Sequence, residues 1–474
     1  MKILHVSLGL PPYRTGGLTR YSIDLMANQV SLSHQVGLLY PGHFKVGGKL
    51  KIISNDIYKG IDVYEIVNPQ PVSLLGGIKN AERFLRQAPR SIYINFLNHY
   101  KPDIIHIHTL MGIHKELLEA AKELGIKMVF TSHDYFGICP KVNLMDWQGR
   151  ICDDYENGLK CVKCNQHGYS MLKISIMQSK MYRELKYNPM INKIRAKQVD
   201  KQKVVTMKGL EDNVDQPDPS LADSYVKLRH YYTGMLSLVN TFHFNSTVAR
   251  KEYEKYMTPN GKVISITHQD IQDCRKVKNY SDHTKPLYLS YLGPVDKYKG
   301  FYMLLHALEQ LMDRDDWKLR VYGDVEPTGI HYDADKIRFF GKYQHHQLPE
   351  IFKETDLIII PSIWKETFGF IGLEALSHGV PTLVTDCVGF KDLIDDAVTG
   401  MVCKPNSEDL AKHLISVLDH REALAQMNRN IVSYDFDFSM NRHTTTIIDL
   451  YKSTMLDTGD IVEEERIEHE PIQY

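Results

Sequence analysis

Two glutamates with seven residues between them, Glu366 and Glu374, stand in the segment WKETFGFIGLEALSHGVP over 364–381. An apolar run, DLIIIPS over 356–362, comes just before. That run reads as a buried strand, which puts Glu366 in the loop at its carboxyl end, where doubly wound sheets bind ligands. Gly369 opens a helix whose first N–H groups have no intrahelical acceptor and can hold a phosphate. Glu374 follows about one turn into that helix. Amides for a phosphate and carboxylates for hydroxyls suit a ligand that carries phosphate and sugar together. The same spacing also fits a plain surface helix, because acidic residues are favoured in a first turn.

Three more loops have residue types that could act on such a ligand. Gly293-Pro294-Val295-Asp296-Lys297-Tyr298-Lys299-Gly300 follows an apolar strand and precedes a helix, so Lys299 is placed to reach a pyrophosphate as a point charge. Gly16-Gly17 lies between the first strand and the first helix, where glycine lets the backbone approach a ligand closely. His133-Asp134 ends the strand KMVFTSH at its carboxyl edge. His106 and His108, in the neighbouring strand, read as satisfied core histidines. The chain has no Gly-x-Gly-x-x-Gly and no Walker A sequence, which removes support for dinucleotide-binding and NTPase readings.

Cys139, Cys152, Cys161 and Cys164 cluster and close with one Cys-x-x-Cys. Four such thiolates could bind structural zinc, stay as reduced buried thiols, or pair in redox chemistry. Met171 to Leu210 has ten Lys or Arg against Glu184 and Asp200, interleaved with apolar residues. A basic amphipathic stretch of that kind reads either as a membrane-surface segment or as a solvated helical face. No nucleic-acid recognition module accompanies it.

These residues need a scaffold, and the hydrophobic pattern supplies one. Short apolar strands alternate with amphipathic helices over about 1–140 and again from 240, which predicts parallel sheets with helices on both faces. The pattern fails between about 140 and 235, which reads as an insertion. A polar stretch, KVKNYSDHTK over 276–285, reads as an interdomain linker. The C-terminal 457–474 has seven acidic residues against Arg466 and reads as a solvated acidic tail. The chain has 474 residues, 43% hydrophobic and 24% charged, with a net charge of −1. Those values exclude collagen-like, coiled-coil and wholly disordered classes, and any charged partner must be met by a local patch. Seven cysteines, an odd number, argue against a secreted disulfide scaffold. The first residues, with His5 and Pro11-Pro12, do not read as a secretion signal, so the default address is the cytoplasm.

Taken together, GGLTRYSIDL, DIIHIHT, the strand ending in His133-Asp134, Lys299-Gly300 and KETFGFIGLEALSHGVPTLVTD resemble the retaining glycosyltransferases of family 4. The resemblance covers about 1–140 and 240–455. It implies a GT-B fold: two Rossmann-like doubly wound domains facing a cleft, with the acceptor on the N-terminal side and a nucleoside-diphosphate sugar on the C-terminal side. Glu374 would bind the ribose hydroxyls, Glu366 the donor sugar and Lys299 the diphosphate. Gly369, Phe370 and Ile371 would offer backbone amides. Gly17 would lie near the diphosphate, His133 near the transferred sugar, and Gly341 and Lys342 beside the base. Such enzymes commonly have an arginine directly after the glycine of the Gly293 loop. Here that position is Pro294, and Lys297 is the next cation along the loop.

The expected organisation is a domain over 1–275 with the insertion inside it, a nucleotide-sugar domain over 285–435, and a helix over 436–456 that packs back on the first domain. The expected chemistry is sugar transfer with retention, without a catalytic metal. Asp313-Arg314-Asp315 has the spacing of a metal triplet but sits at a helix end. The acceptor would be lipid-linked, in surface polysaccharide or glycolipid synthesis at the inner face of the cytoplasmic membrane. Rival readings are a nucleotide-sugar epimerase on the same fold and a non-catalytic sugar-nucleotide binding protein.

Overall fold

The computed structural model describes residues 1–186, 218–324, 326 and 332–457. The part of the basic stretch after Lys186 and the acidic tail beyond Asp457 lie outside the described residues.

Two sheets organise the chain. The first contains β1 (Lys2–Val6), β2 (Gln35–Pro41), β3 (Lys51–Ser54), β4 (Asp62–Val67), β5 (Ile104–Ile107), β6 (Lys127–Thr131), β7 (Thr241–Phe244) and β8 (Gly261–Val263), in the order β3-β4-β2-β1-β5-β6-β7-β8. The second contains β9 (Leu287–Leu292), β10 (Trp317–Tyr322), β11 (Ile337–Gly341), β12 (Leu357–Ile360), β13 (Thr382–Thr385) and β14 (Met401–Cys403), in the order β11-β10-β9-β12-β13-β14. All pairings are parallel except β3 with β4. The central strands are buried on both faces, so β5 and β12 read as continuous apolar runs and not as alternating ones.

This order creates two crevices. In the first sheet the chain runs outward from β1 and then returns to β5 on the other side. In the second it leaves β9 outward and returns to β12. Each reversal opens a crevice at the carboxyl ends of two neighbouring strands. Gly16-Gly17 and His108 follow β1 and β5; Lys299 and Glu366 follow β9 and β12.

The sheets meet through one shared apolar layer. Ile3, Tyr21 and Val129 of the first half pack with Phe368, Leu373 and Phe390 of the second, and with Ile447 and Tyr451 of the helix Met440–Leu456. That last helix lies against the helix Gly17–Ser31 and β6. Ser439 caps its start by accepting from the Arg442 amide.

Within the region read as an irregular insertion, the structure has short helices at Leu159–Asn165, Met171–Met177 and Lys180–Leu185, then a full helix at Ala222–Leu236. The long helix buries Tyr225, Leu228, Tyr232 and Met235, a helical spacing hidden in the sequence by intervening Lys227, Arg229 and His230. Strands β3 and β4 and the helices Arg90–Tyr100 and Arg421–Ser433 are also additions to the sequence reading.

Gly300 fixes the angle at which Lys299 enters the cleft. It has φ 73°, and a Cβ there would stand 1.7 Å from the Pro361 carbonyl oxygen. Gly300→Ala should therefore destabilise the protein by about 3 kcal/mol or more, through both the clash and the left-handed backbone. Urea unfolding checks this; a midpoint equal to that of the unsubstituted protein would contradict it.

Candidate active site

Lys299 and Glu366 meet at the second crevice. The Lys299 ammonium donates to Glu366 Oε1 at 2.7 Å and lies 5.2 Å from the centre of the Trp364 ring. The Ser362 hydroxyl donates to Glu366 Oε2 at 2.8 Å. Burial alone would push the Glu366 carboxyl up, but the Lys299 charge and these hydrogen bonds outweigh it and hold it below the usual range. Both side chains line a cavity of about 190 Å³, together with Gly293, Pro294, Gly369 and Ile371. Gly369, at φ 101°, caps the helix Phe370–Ser377 without a side chain. The first amides of that helix have no intrahelical acceptor.

Glu374 is also in this region but faces a different set of groups. Its Oε1 lies 3.2 Å from His268 Nε2 and 3.2 Å from His345 Nε2. Burial pushes its carboxyl up, and the two imidazoles more than offset that, leaving it lowered. His345 also approaches Arg20 of the first half at 3.3 Å, and Arg20 pairs with Asp270. Glu366 thus lies four residues before the first helical residue, Phe370, and Glu374 about one turn inside the helix.

The first half supplies the opposite wall. A Cβ on Gly17 would lie 3.5 Å from the Phe370 ring, so the Gly-Gly turn sits directly against the helix Phe370–Ser377. The Thr367 hydroxyl donates to the His133 carbonyl at 3.0 Å, and Ser246 donates to the Thr367 carbonyl at 2.8 Å. Gly341 ends β11 and accepts from the Gly323 amide at 2.8 Å; Lys342, next to it, is exposed, and Tyr343 lines the cavity. Lys297 does not line it. Its ammonium donates to the Gln148 carbonyl at 3.2 Å, on a loop of the insertion. Burial pushes the Asp134 carboxyl up to about 7, against a hydrogen bond from the Phe136 amide.

Behind His133 runs a buried chain of imidazoles whose proton positions follow from one fixed end. His243 Nε2 must donate to the Ile264 carbonyl at 2.8 Å, so its Nδ1 accepts from the Thr131 hydroxyl at 2.9 Å. Thr131 then accepts from His106 Nε2 at 2.6 Å, and His106 Nδ1 accepts from the Tyr451 hydroxyl at 2.6 Å. Tyr451 accepts from Gln29 at 3.2 Å, and the Gln29 oxygen accepts from His5 Nε2 at 2.7 Å. His5 Nδ1 accepts from His108 at 2.9 Å, and His108 Nδ1 accepts from His133 Nε2 at 3.2 Å. The His133 Nδ1 is left as an acceptor toward Asn245 at 3.4 Å. Every ring in the chain is neutral in this arrangement, and burial holds the pKa values of His5, His106, His108, His133 and His243 below the usual range.

Residues 275–433 match the family model of glycosyl transferases group 1, and residues 15–152 match that of glycosyltransferase family 4. Both halves of the chain carry glycosyltransferase domains. The chain is 26% identical over 158 residues to an uncharacterized 41.2 kDa protein in the cps region of Klebsiella pneumoniae, covering 33% of this chain and 43% of that protein. It is also 26% identical over 178 residues to a D-inositol 3-phosphate glycosyltransferase of Corynebacterium efficiens, covering 34% and 42%. The matches thus span less than half the length of these curated relatives. Among solved structures, Anabaena HepE in complex with UDP superposes with a TM-score of 0.55 at 15% identity, covering 96% of this chain and all of that one. Sucrose-phosphate synthase from Thermosynechococcus elongatus gives 0.54 at 14%, also over 96% of this chain. The fold is GT-B.

Within this fold the structure brings Lys299, Glu366, Gly369 and Ile371 to one cavity, while Gly17 packs against Phe370 and Glu374 lies further along the same helix, both outside the cavity lining. His133 reaches the cleft through its carbonyl, while its ring points back into the imidazole chain. Sequence reasoning missed Ser362, His268, His345 and Thr367. Ser362 was visible, four residues before Glu366; His268 and His345 lie in irregular segments, far from Glu374 in sequence.

Proposed function

We propose that the protein transfers a sugar from a nucleoside-diphosphate donor to an acceptor with retained configuration. The observation that carries this is the Lys299–Glu366 pair beneath the N-terminus of Phe370–Ser377, in one cavity at the switch point of the second sheet. In this reading the diphosphate takes the Lys299 ammonium and the first helix amides, and Glu366 turns to the sugar hydroxyls. Glu374 binds the ribose, with His268 and His345 holding its carboxylate in place. His133 lies by the transferred sugar, and Gly341 and Lys342 lie by the base. The leaving diphosphate gains charge as the glycosidic bond breaks, and a fixed cation plus helix amides stabilise that charge without a catalytic metal. A fold neighbour solved with UDP supports the donor class.

The proposed acceptor is lipid-linked, for a surface polysaccharide or glycolipid made at the inner face of the cytoplasmic membrane. Leu172, Ile176 and Met181 are exposed beside Lys173 and Lys180, and no described helix is long and apolar enough to span a bilayer. Two cations of this stretch turn inward: Arg183 pairs with Glu65 at 3.2 Å and Lys186 donates to the Tyr13 carbonyl at 2.6 Å.

A thermal-shift screen of nucleotide sugars tests the donor. A ligand at about 100 times its dissociation constant stabilises by about 2.7 kcal/mol. NMR of the product's anomeric signal tests retention, and rates with and without added divalent ions test metal independence. Glu374→Gln should weaken donor binding about 10- to 150-fold, the equivalent of a hydrogen bond to a charged group. Calorimetric titration measures it, and unchanged affinity would remove Glu374 from the ribose site.

A further inference from the structure

The insertion gathers four thiols around a buried cation that has no acidic partner. Cys161 and Cys164 lie three apart on the helix Leu159–Asn165, so their sulfurs leave one side of it. Cys139 lines the same small pocket as Arg229. Cys152 is held by its amide, which donates to the Leu144 carbonyl at 2.8 Å. All four are free thiols, and each lies close enough to the others to act on them electrostatically.

Arg229 is 5% exposed and forms no ion pair among the described residues. Its Nη1 points at Cys161 Sγ from 3.8 Å, its Nη2 is buried with no hydrogen-bond partner, and its guanidinium stacks 4.0 Å from the centre of the Tyr155 ring. A buried charge without a counter-charge is costly. Lys141 and Lys160 also act on the sulfurs. The nearby carboxylate, Asp146, accepts from the amides of Gln148 and Arg150, both at 2.9 Å, and from the Arg150 side chain. An anion is what this pocket lacks, and four thiolates around one zinc ion have a net charge of −2.

We propose that Cys139, Cys152, Cys161 and Cys164 bind one zinc ion, which Arg229 partly neutralises and which pins the loop between Cys139 and Cys152 onto the second domain. That loop is a small ribbon, bridged at Met145 and Ile151. Its tip meets the donor-side loop: Lys297 donates to the Gln148 carbonyl, and a Cβ on Gly149 would stand 3.0 Å from the Lys297 ammonium. Lys141 lies 5.8 Å from the centre of the Tyr298 ring. Two ligands thus bracket the ribbon, and two anchor it to the helix. The groups of three or more ligand atoms mutually within 4.8 Å among the described residues are His5–His106–His108 and His268–His345–Glu374, so the cysteine side chains must rotate to close on the ion. Zinc–sulfur bonds of about 2.3 Å in a tetrahedron would bring the sulfurs to about 3.8 Å from one another.

Elemental analysis of protein purified without a metal-affinity step should find about one zinc per chain. The double variant Cys161→Ser/Cys164→Ser should lose it, as should Cys139→Ser alone. Cobalt substitution of the unaltered chain should give a thiolate-to-cobalt charge-transfer band, a readout that does not depend on the variants folding. Zinc removal should speed trypsin cleavage at Arg150 at least tenfold. Zinc-free protein, a disulfide among these residues, or zinc kept by the variants would overturn the site; unchanged cleavage after zinc removal would overturn the pinning.

Discussion

Lys299→Ala will lower turnover about 10²- to 10³-fold, the loss that follows removal of one group stabilising charge in a transition state. The ammonium is the only cation among the described residues that line the cavity, and Pro294 occupies the position where the family resemblance leads one to expect an arginine. Donor binding should weaken as well, because the diphosphate is already charged in the ground state. The substitution does a second thing. It leaves the Glu366 carboxyl, 15% exposed, without its counter-charge. Without Lys299, burial is opposed only by the remaining hydrogen bonds, from Ser362 among others, and the carboxyl moves up from where the pair holds it. The residual activity of Lys299→Ala should therefore rise with pH where that of the unsubstituted enzyme is flat. Glu366→Gln should cut turnover about 10²-fold with less effect on donor affinity, since in the proposed reading Glu366 faces the sugar that moves and not the diphosphate. The double variant should be little worse than Lys299→Ala alone, because the two groups act as one unit. Single-turnover rates and donor titrations across pH decide this. Additive losses, or near-unaltered turnover in Lys299→Ala, would show that the pair is not the reacting centre.

The parts of this site visible in the sequence are those with local signals. A continuous apolar run, a glycine, a carboxylate and a helix follow one another within 356–378, so the crevice after β12 is a short-range fact, and Lys299-Gly300 after β9 repeats the pattern. The strand order that sets β9 beside β12 is not local, but alternation of strands and helices leaves few topologies for it. What stayed hidden depends on partners far apart in sequence. Glu374 takes His268, 106 residues away, and His345, and nothing in their flanking residues marks them. His106 and His108 were read as satisfied core histidines, and that is where they lie; the chain that joins them through His5, Gln29 and Tyr451 needs four separate elements to fold together. β3 escaped notice for a different reason. It is a short, half-exposed edge strand with no buried face to impose a pattern.

The buried imidazoles should make the protein labile in mild acid, above the range where ordinary carboxylates titrate. His5 and His243 are pushed down to about 4 and His443 to about 3, in each case chiefly by burial, and His106, His108 and His133 are lowered in the same way. His114, bonded to the Tyr93 hydroxyl at 2.7 Å, is pushed down to about 4. The groups facing the chain are hydroxyls, an amide and other imidazoles; Tyr21 donates to or accepts from His443 at 2.8 Å. No carboxylate is hydrogen-bonded to any ring of the chain among the described residues. A histidine whose folded pKa lies below its unfolded 6.5 binds its proton only on unfolding, so its contribution is present above 6.5 and is lost as pH falls toward the folded value. With a folded value of about 4, one such group loses about 2 kcal/mol between pH 7 and pH 5. Asp134, raised to about 7, runs the other way and returns a similar amount over the same interval. The histidines outnumber it, and their combined loss is comparable with the whole stability of an ordinary domain, about 5–15 kcal/mol. Urea unfolding at a series of pH values should therefore show uptake of several protons on unfolding between pH 6.5 and 5, with the folded state lost in mild acid. Uptake of one proton or fewer would mean that the rings are charged in the folded protein, and that the single proton direction running from Asn245 to the Ile264 carbonyl does not hold.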